Sequence, residues 1–268
     1  MASVSPSGGF AHFLHNKKRE DYLISSKVGK LFKASKNNRH AEIYPLSDSP
    51  NDIVFDYTAD GARRSIEDGL QRLGVDSLDI AFVHDISPDF AYFPNGWEEQ
   101  YEIARKGAFP ALSKMRDEGT IRAWGIGVNT PLPILKVMDD ADPDVCLCAR
   151  QYSLIDHASA VNELFPAVRK KNISLVIGSS LNAGFISGSP RYNYEGKLQD
   201  PRGRDRKARK TPNGGRPLWR GSPHRCTSIL GSARCRGRPC RRRAKPSADR
   251  RGLQFAPSEN PVQILDRA

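Results

Sequence analysis

No apolar run in this 268-residue chain approaches the ~20 residues needed to cross a bilayer, so a membrane-spanning helix is not expected. The opening stretch, MASVSPSGGFAHFLHNKK, has no basic segment leading into an apolar one, so a secretory leader is not expected either. A reducing cytoplasm is the expected location. Five cysteines at irregular spacing exclude a disulfide framework. Cys226, Cys235 and Cys240, with His224 nearby, are separated by eight and then four residues, not arranged as paired C-x2-C motifs. No metal site is expected from them. Cys146 and Cys148 sit two apart in an apolar run, which puts both on one face of a strand as core thiols. Apolar residues make up only 38% of the chain, lean for one compact core of this length.

The charge is unevenly spread. Lys and Arg number 42 against 30 Asp and Glu, a net charge of +12. From Leu198 onward there are 19 basic and 5 acidic residues, a balance of +14, whereas residues 1–197 hold 23 and 25, a balance of −2. The basic character therefore belongs to the last stretch alone, and the body has the near-neutral surface of an ordinary domain.

The body alternates. Arg72–Asp85, RLGVDSLDIAFVHD, reads as the end of an amphipathic helix, a glycine turn and a short apolar strand closed by His84. The same pattern predicts a strand at Tyr22–Ser26 ending on Lys27, one at Ile121–Gly127 ending on Asn129, and one at Val145–Ala149 ending near Gln151. A fifth, Ile173–Gly178, is followed by Ser179, Ser180, Leu181 and Asn182. Between them the spacing predicts a helix from Asp60 to Gly74, with Ser65 and Asp68 at capping-box-like spacing. It also predicts one helix of about twenty residues ending at Gly119, a short one from Pro131, and one marked by Val161, Leu164, Phe165 and Val168. Residues 10–18 read as a short helix, and 30–57 as a long loop with little periodicity.

Strand–helix alternation implies a parallel sheet with crossover helices. The expected fold class is α/β, of the (β/α)8 barrel type, with five of the eight units recognisable. Parallel strands deliver their C-termini to one rim, so Lys27, His84, Asn129, Gln151 and Ser179/Ser180 are the candidate site residues. Each alone reads more simply as a solvated, capping or hydrogen-bonded structural residue. Together, a cation, an imidazole and two amides suit a carbonyl substrate and an amide-bearing cofactor.

YLISSKVGK (22–30), RSIEDGLQRLGVDSLDIAFVHD (64–85), ALSKMRDEGTIRAWGIGVN (111–129) and QYSLID (151–156) resemble the aldo/keto reductase family, nearest to its sugar and pyridoxal dehydrogenase branch. The resemblance implies a (β/α)8 barrel that binds NADP or NAD and moves hydride to or from an aldehyde- or aldose-type substrate. It implies that Lys27 is the family lysine, which lowers the pKa of a catalytic tyrosine, and that His84 is the histidine that orients the carbonyl. Asn129 and Gln151 match positions that hydrogen-bond the nicotinamide carboxamide. Many members have Ser before that Asn, where this chain has Val128. Many also stack a Tyr on the nicotinamide after the strand at 173–178. Here Ser179, Ser180, Leu181 and Asn182 would instead approach the pyrophosphate with small side chains and backbone amides.

The family's Asp and Tyr stand upstream of the lysine, yet only 26 residues precede Lys27 and none forms D-x-A-x-x-Y. Tyr22, five residues earlier on the same expected strand, would lie about 16 Å away. Nothing in the sequence recommends Tyr44 or Tyr57. The expectation is an impaired enzyme, truncated at its N-terminus and lacking its general acid. After RYNYEGK (191–197) the chain becomes Arg-, Pro- and Gly-rich, as expected of out-of-frame translation of GC-rich DNA from about residue 198. Two segments follow, a partial barrel at 1–197 and a disordered basic tail at 198–268. The competing readings are a non-enzymatic protein whose tail holds nucleic-acid backbones, and a non-functional truncated product. The expected partner is a small carbonyl or sugar substrate, not nucleic acid or a membrane.

Overall fold

The computed structural model describes residues 11–35, 51–188 and 192–193. The readings for Tyr44 and for 198–268 lie outside them. The described residues group into two compact units: 11–35, 51–127 and 139–145 form one, and 128–138, 146–188 and 192–193 the other.

In the first unit, β1 (Ser25–Val28) lies beside β4 (Leu78–His84), which lies beside β5 (Ile121–Val128), all parallel. From Leu78 to Val83, β4 is buried at every residue. A continuous apolar run of this kind is the mark of a parallel strand covered on both faces. Burying side chains such as Ile80, Phe82 and Val83 contributes roughly 1.5–3 kcal/mol each.

Helix α1 (Ala59–Leu73) starts where Thr58 Oγ1 accepts a hydrogen bond from the Gly61 N–H at 3.1 Å, and it ends at the left-handed Gly74. The cap is thus Thr58, not the Ser65–Asp68 pair. Ser65 is buried and accepts from the Gly29 N–H at 3.3 Å.

The twenty-residue helix is two helices, α2 (Trp97–Lys106) and α3 (Ala108–Glu118), divided at Gly107. A Cβ on Gly107 would stand 2.8 Å from the Ala59 backbone nitrogen and 2.9 Å from Thr58 Cα. The Ala108 N–H donates to the Tyr57 carbonyl at 3.1 Å, so the break is where this chain docks against the start of α1.

Two further elements correct the reading of 30–57 as loop: β2 (Lys30–Lys33) and β3 (Asp52–Phe55) pair antiparallel, Lys30 opposite Phe55. The first strand is also shorter than expected, because β1 begins at Ser25 and Tyr22 lies outside it. The Tyr22 carbonyl accepts from Arg19 Nη1 at 3.1 Å, and the Ile24 N–H donates to Asp79 Oδ2 at 2.8 Å. Asp79, 1% exposed, also receives Arg19 at 2.8 Å and Arg122 at 3.0 Å. One carboxylate thus ties the segment before β1, β4 and β5 together at the start of β4. Tyr22 therefore stands at the end of β4 away from His84. Its separation from the site holds, although the strand that first argued for it does not.

In the second unit, α4 (Pro131–Asp140, its last two residues counted with the first unit) precedes β6 (Val145–Ala149, of which Val145 falls in the first unit). A π-helical turn, Ala160–Leu164, leads into α5 (Phe165–Lys171), and β7 (Ser174–Gly178) lies next to β6. All five expected strands are present among the described residues. Cys146 and Cys148 are both fully buried, as expected of core positions.

Asp79→Asn removes the charge that two guanidinium groups share. Because those groups are 27% and 43% exposed, solvent moderates the loss to about 2 kcal/mol, read as a lower urea midpoint with an unchanged slope.

Candidate active site

The first unit gathers its chemistry at the C-terminal end of β4. His84 is the last residue of that strand, with 14% of its side chain exposed. Its backbone is held on two sides. The Tyr57 hydroxyl donates to the His84 carbonyl at 2.7 Å, and the Asp85 N–H donates to the Gly127 carbonyl at 2.9 Å. Tyr57 reaches that carbonyl across Gly29, which sits at φ +101°. A Cβ there would lie 2.1 Å from the Tyr57 ring, so only glycine admits the phenol.

Asp85 takes a left-handed conformation, φ +56°, which Asp tolerates better than most residues. Its Oδ2 accepts from Lys30 Nζ at 2.5 Å and lies 3.2 Å from His84 Nε2. Lys30 and Asp85 are only 10% and 17% exposed. The ammonium also sits 4.3 Å from the Phe90 ring centroid, within a cluster in which Phe55, Phe90 and Phe93 meet edge-on or tilted. Lys27 is the third of the four residues of β1, one place inside the strand end, and pairs in register with Phe82. Its charge is felt at both His84 and Asp85.

Burial first, then the charges of Lys30 and Lys27, hold the His84 imidazole well below its usual range. It is therefore neutral at ordinary pH despite the adjacent carboxylate. Burial pushes the Asp85 carboxyl up, against the opposing pull of Lys30 and Lys27.

The second unit carries the remaining candidates. Gln151 Nε2 donates to the Asn129 carbonyl at 2.7 Å, which joins these two sequence-expected residues directly and leaves Oε1 as the acceptor Gln151 can offer. After β7 the chain turns through left-handed conformations at Ser179 (φ +51°), Asn182 (φ +51°) and Ala183 (φ +56°). Asn182 is fully buried. Its Nδ2 donates to Asn193 Oδ1 at 3.2 Å, and its Oδ1 is a buried acceptor without a hydrogen-bond partner. Leu181, by contrast, is exposed. Gln151 Oε1 thus stands as an amide acceptor, and within 179–183 positive-φ backbone is confined to Ser179, Asn182 and Ala183.

Lys30 and Asp85 were not singled out from the sequence, and Tyr57 was considered there only as a proton donor and set aside. Lys30 and Asp85 lie inside the motifs SSKVGK and FVHD, but their pairing spans 55 positions and becomes visible only in the fold.

The parallel strands alternating with helices are of the (β/α)8-barrel type, five such strands standing among the described residues. The chain belongs to the aldo/keto reductase family, whose model matches residues 9–223 and so runs past Leu198. It is 31% identical over 197 residues to a D-threo-aldose 1-dehydrogenase from Pseudomonas sp., covering 70% of this chain and 56% of that protein. It is 33% identical over 193 residues to a pyridoxal 4-dehydrogenase from Microbacterium luteolum, covering 66% and 55%. The chain thus spans about half the length of these curated relatives. An aldo-keto reductase from Bacillus halodurans shares the fold in its apo form at TM-score 0.51 and 19% identity, over 79% of this chain and 58% of that one. Its holo form gives 0.50 at 21%, over 72% and 54%.

Folded His84 holds a proton less tightly than an unfolded imidazole, whose pKa is about 6.5. Below that pH the unfolded chain binds more protons, so the stability His84 contributes is complete above it and is lost as pH falls. The urea midpoint should therefore fall as pH drops from about 7.5 to about 5.5, and His84→Gln should flatten that slope.

Proposed function

We propose that this chain carries the machinery of an NAD(P)-dependent oxidoreductase acting on an aldehyde- or aldose-type carbonyl. His84 is the observation that carries the reading: a neutral imidazole at the C-terminal end of a fully buried strand, braced by Tyr57 and flanked by Lys27, Lys30 and Asp85. A neutral imidazole can donate its N–H to a carbonyl oxygen without a charge to desolvate. Lys27 adds positive potential, which favours the oxyanion form of a substrate or phenol nearby.

When bound, the nicotinamide supplies or accepts hydride. Asn129 and Gln151 would hold its carboxamide, and Ser179, Ser180, Leu181 and Asn182 its phosphates. The fit rests on Gln151 Oε1 and on the left-handed backbone at Ser179, Asn182 and Ala183. The aldose and pyridoxal dehydrogenases named above support the substrate class.

Tyr57 is not placed as a proton donor to a substrate, because its hydroxyl donates to the His84 backbone carbonyl.

NADPH or NADH fluorescence should quench to a plateau on addition of the chain. Gln151→Ala should weaken that binding about fivefold, the effect of one hydrogen bond. Aldose-dependent reduction of NAD(P) should fall at least about tenfold in Lys27→Met and in His84→Gln with cofactor affinity unchanged. Quenching that never saturates would overturn the cofactor reading. Turnover indifferent to both substitutions would overturn the roles of Lys27 and His84.

A further inference from the structure

The carboxylate of Asp85 has two suitors. Lys30 Nζ approaches Oδ2 to 2.5 Å and His84 Nε2 to 3.2 Å. An imidazole beside a buried carboxylate with no other partner would be drawn into an ion pair and protonated. It would then meet a substrate as a cation. With the ammonium on the same oxygen, the carboxylate charge is already answered.

We propose that Lys30 and Asp85 form a positioning pair for His84, in which Lys30 answers the charge of the carboxylate beside Nε2 so that the imidazole stays neutral and meets a carbonyl substrate uncharged. The proposal rests on the reading of His84 as the carbonyl-facing residue and adds two residues that the sequence motifs did not assign.

Three features make the pair a built device. Asp85 adopts φ +56°, the turn that follows β4 directly, and its N–H is tied to the Gly127 carbonyl. Lys30 opens β2, whose pairing with β3 sets it opposite Phe55. The Phe90 ring, 4.3 Å from the ammonium, supplies a second attraction for the cation in place of water. Because all three groups are at most 17% exposed, little solvent screens their mutual effects.

Among the described residues, the charged groups that act on His84 or Asp85 are Lys27 from β1, Lys30 from β2 and, acting on Asp85, Asp89 from the segment after β4. Tyr57 approaches from before α1 with its hydroxyl on the backbone. The register partner of His84 on β5 is Gly127, which brings no charge.

The test is NMR titration of the full chain labelled at histidine, with His84 assigned among the six histidines by its loss in His84→Gln. It needs no turnover, so it can fail or succeed independently of the proposed activity. In the wild type the His84 signals should not titrate near pH 6.5. In Lys30→Met, Asp85 turns to the imidazole, and His84 should bind its proton at least about tenfold more tightly. Lys30→Arg should restore the wild-type behaviour, and the double variant Lys30→Met/Asp85→Asn should abolish the upward shift. Asn tolerates the left-handed turn, so that variant tests charge and not backbone. If Lys30→Met does not fold, Lys30→Gln, which keeps a donor without the charge, gives the same reading. An unshifted His84 in a folded Lys30→Met or Lys30→Gln chain overturns the proposal. So does failure of both to fold, since the pair would then be a requirement of the fold alone.

Discussion

A strand sealed on both faces can hold polar side chains only near its ends, and β4 is built under that constraint. Leu78 to Val83 are all buried, with Asp79 beside the first of them and His84 immediately after the last. Each polar end must find its partners inside the protein, because water is excluded. The arrangement of the first unit follows. At one end the Asp79 carboxylate organises Arg19, Arg122 and the Ile24 N–H. At the other, Tyr57 and Gly127 hold the backbone of residues 84 and 85 while Lys30 meets Asp85.

The two carboxylates do different physical work. Asp79 faces guanidinium groups that remain partly in water, so its pairs are screened and its role is to fasten strands. Asp85 faces an ammonium 10% exposed and packed against Phe90, where screening is slight and a unit charge reaches the neighbouring imidazole. The same residue type thus fastens at one end of a strand and tunes at the other. The difference lies in what surrounds it.

The strands from β4 to β7 were legible because each is a short apolar run closed by a polar residue. β1 was legible but its start was not, since Tyr22 and Ile24 continue its strand-like composition while their backbone groups are taken by Arg19 and Asp79. The apolar spacing runs unbroken through Gly107, so the division between α2 and α3 could be seen only in the close approach of Thr58 and Ala59. The β2–β3 pair escaped because each strand has four residues, too few to show a period. For the site, His84, Asn129 and Gln151 were legible as strand-end residues. Lys30 and Tyr57 were not, because their meaning depends on partners 55 and 27 positions away.

Gly29 shows where this leads. It has no functional group and stands outside every list of chemistry-bearing residue types, yet the Tyr57 ring occupies the volume where its side chain would begin. Any other amino acid there would evict the phenol and release the carbonyl of His84. Position 29 therefore governs the backbone of His84 through Tyr57. The information needed to hold that imidazole still is written partly as an absence of atoms.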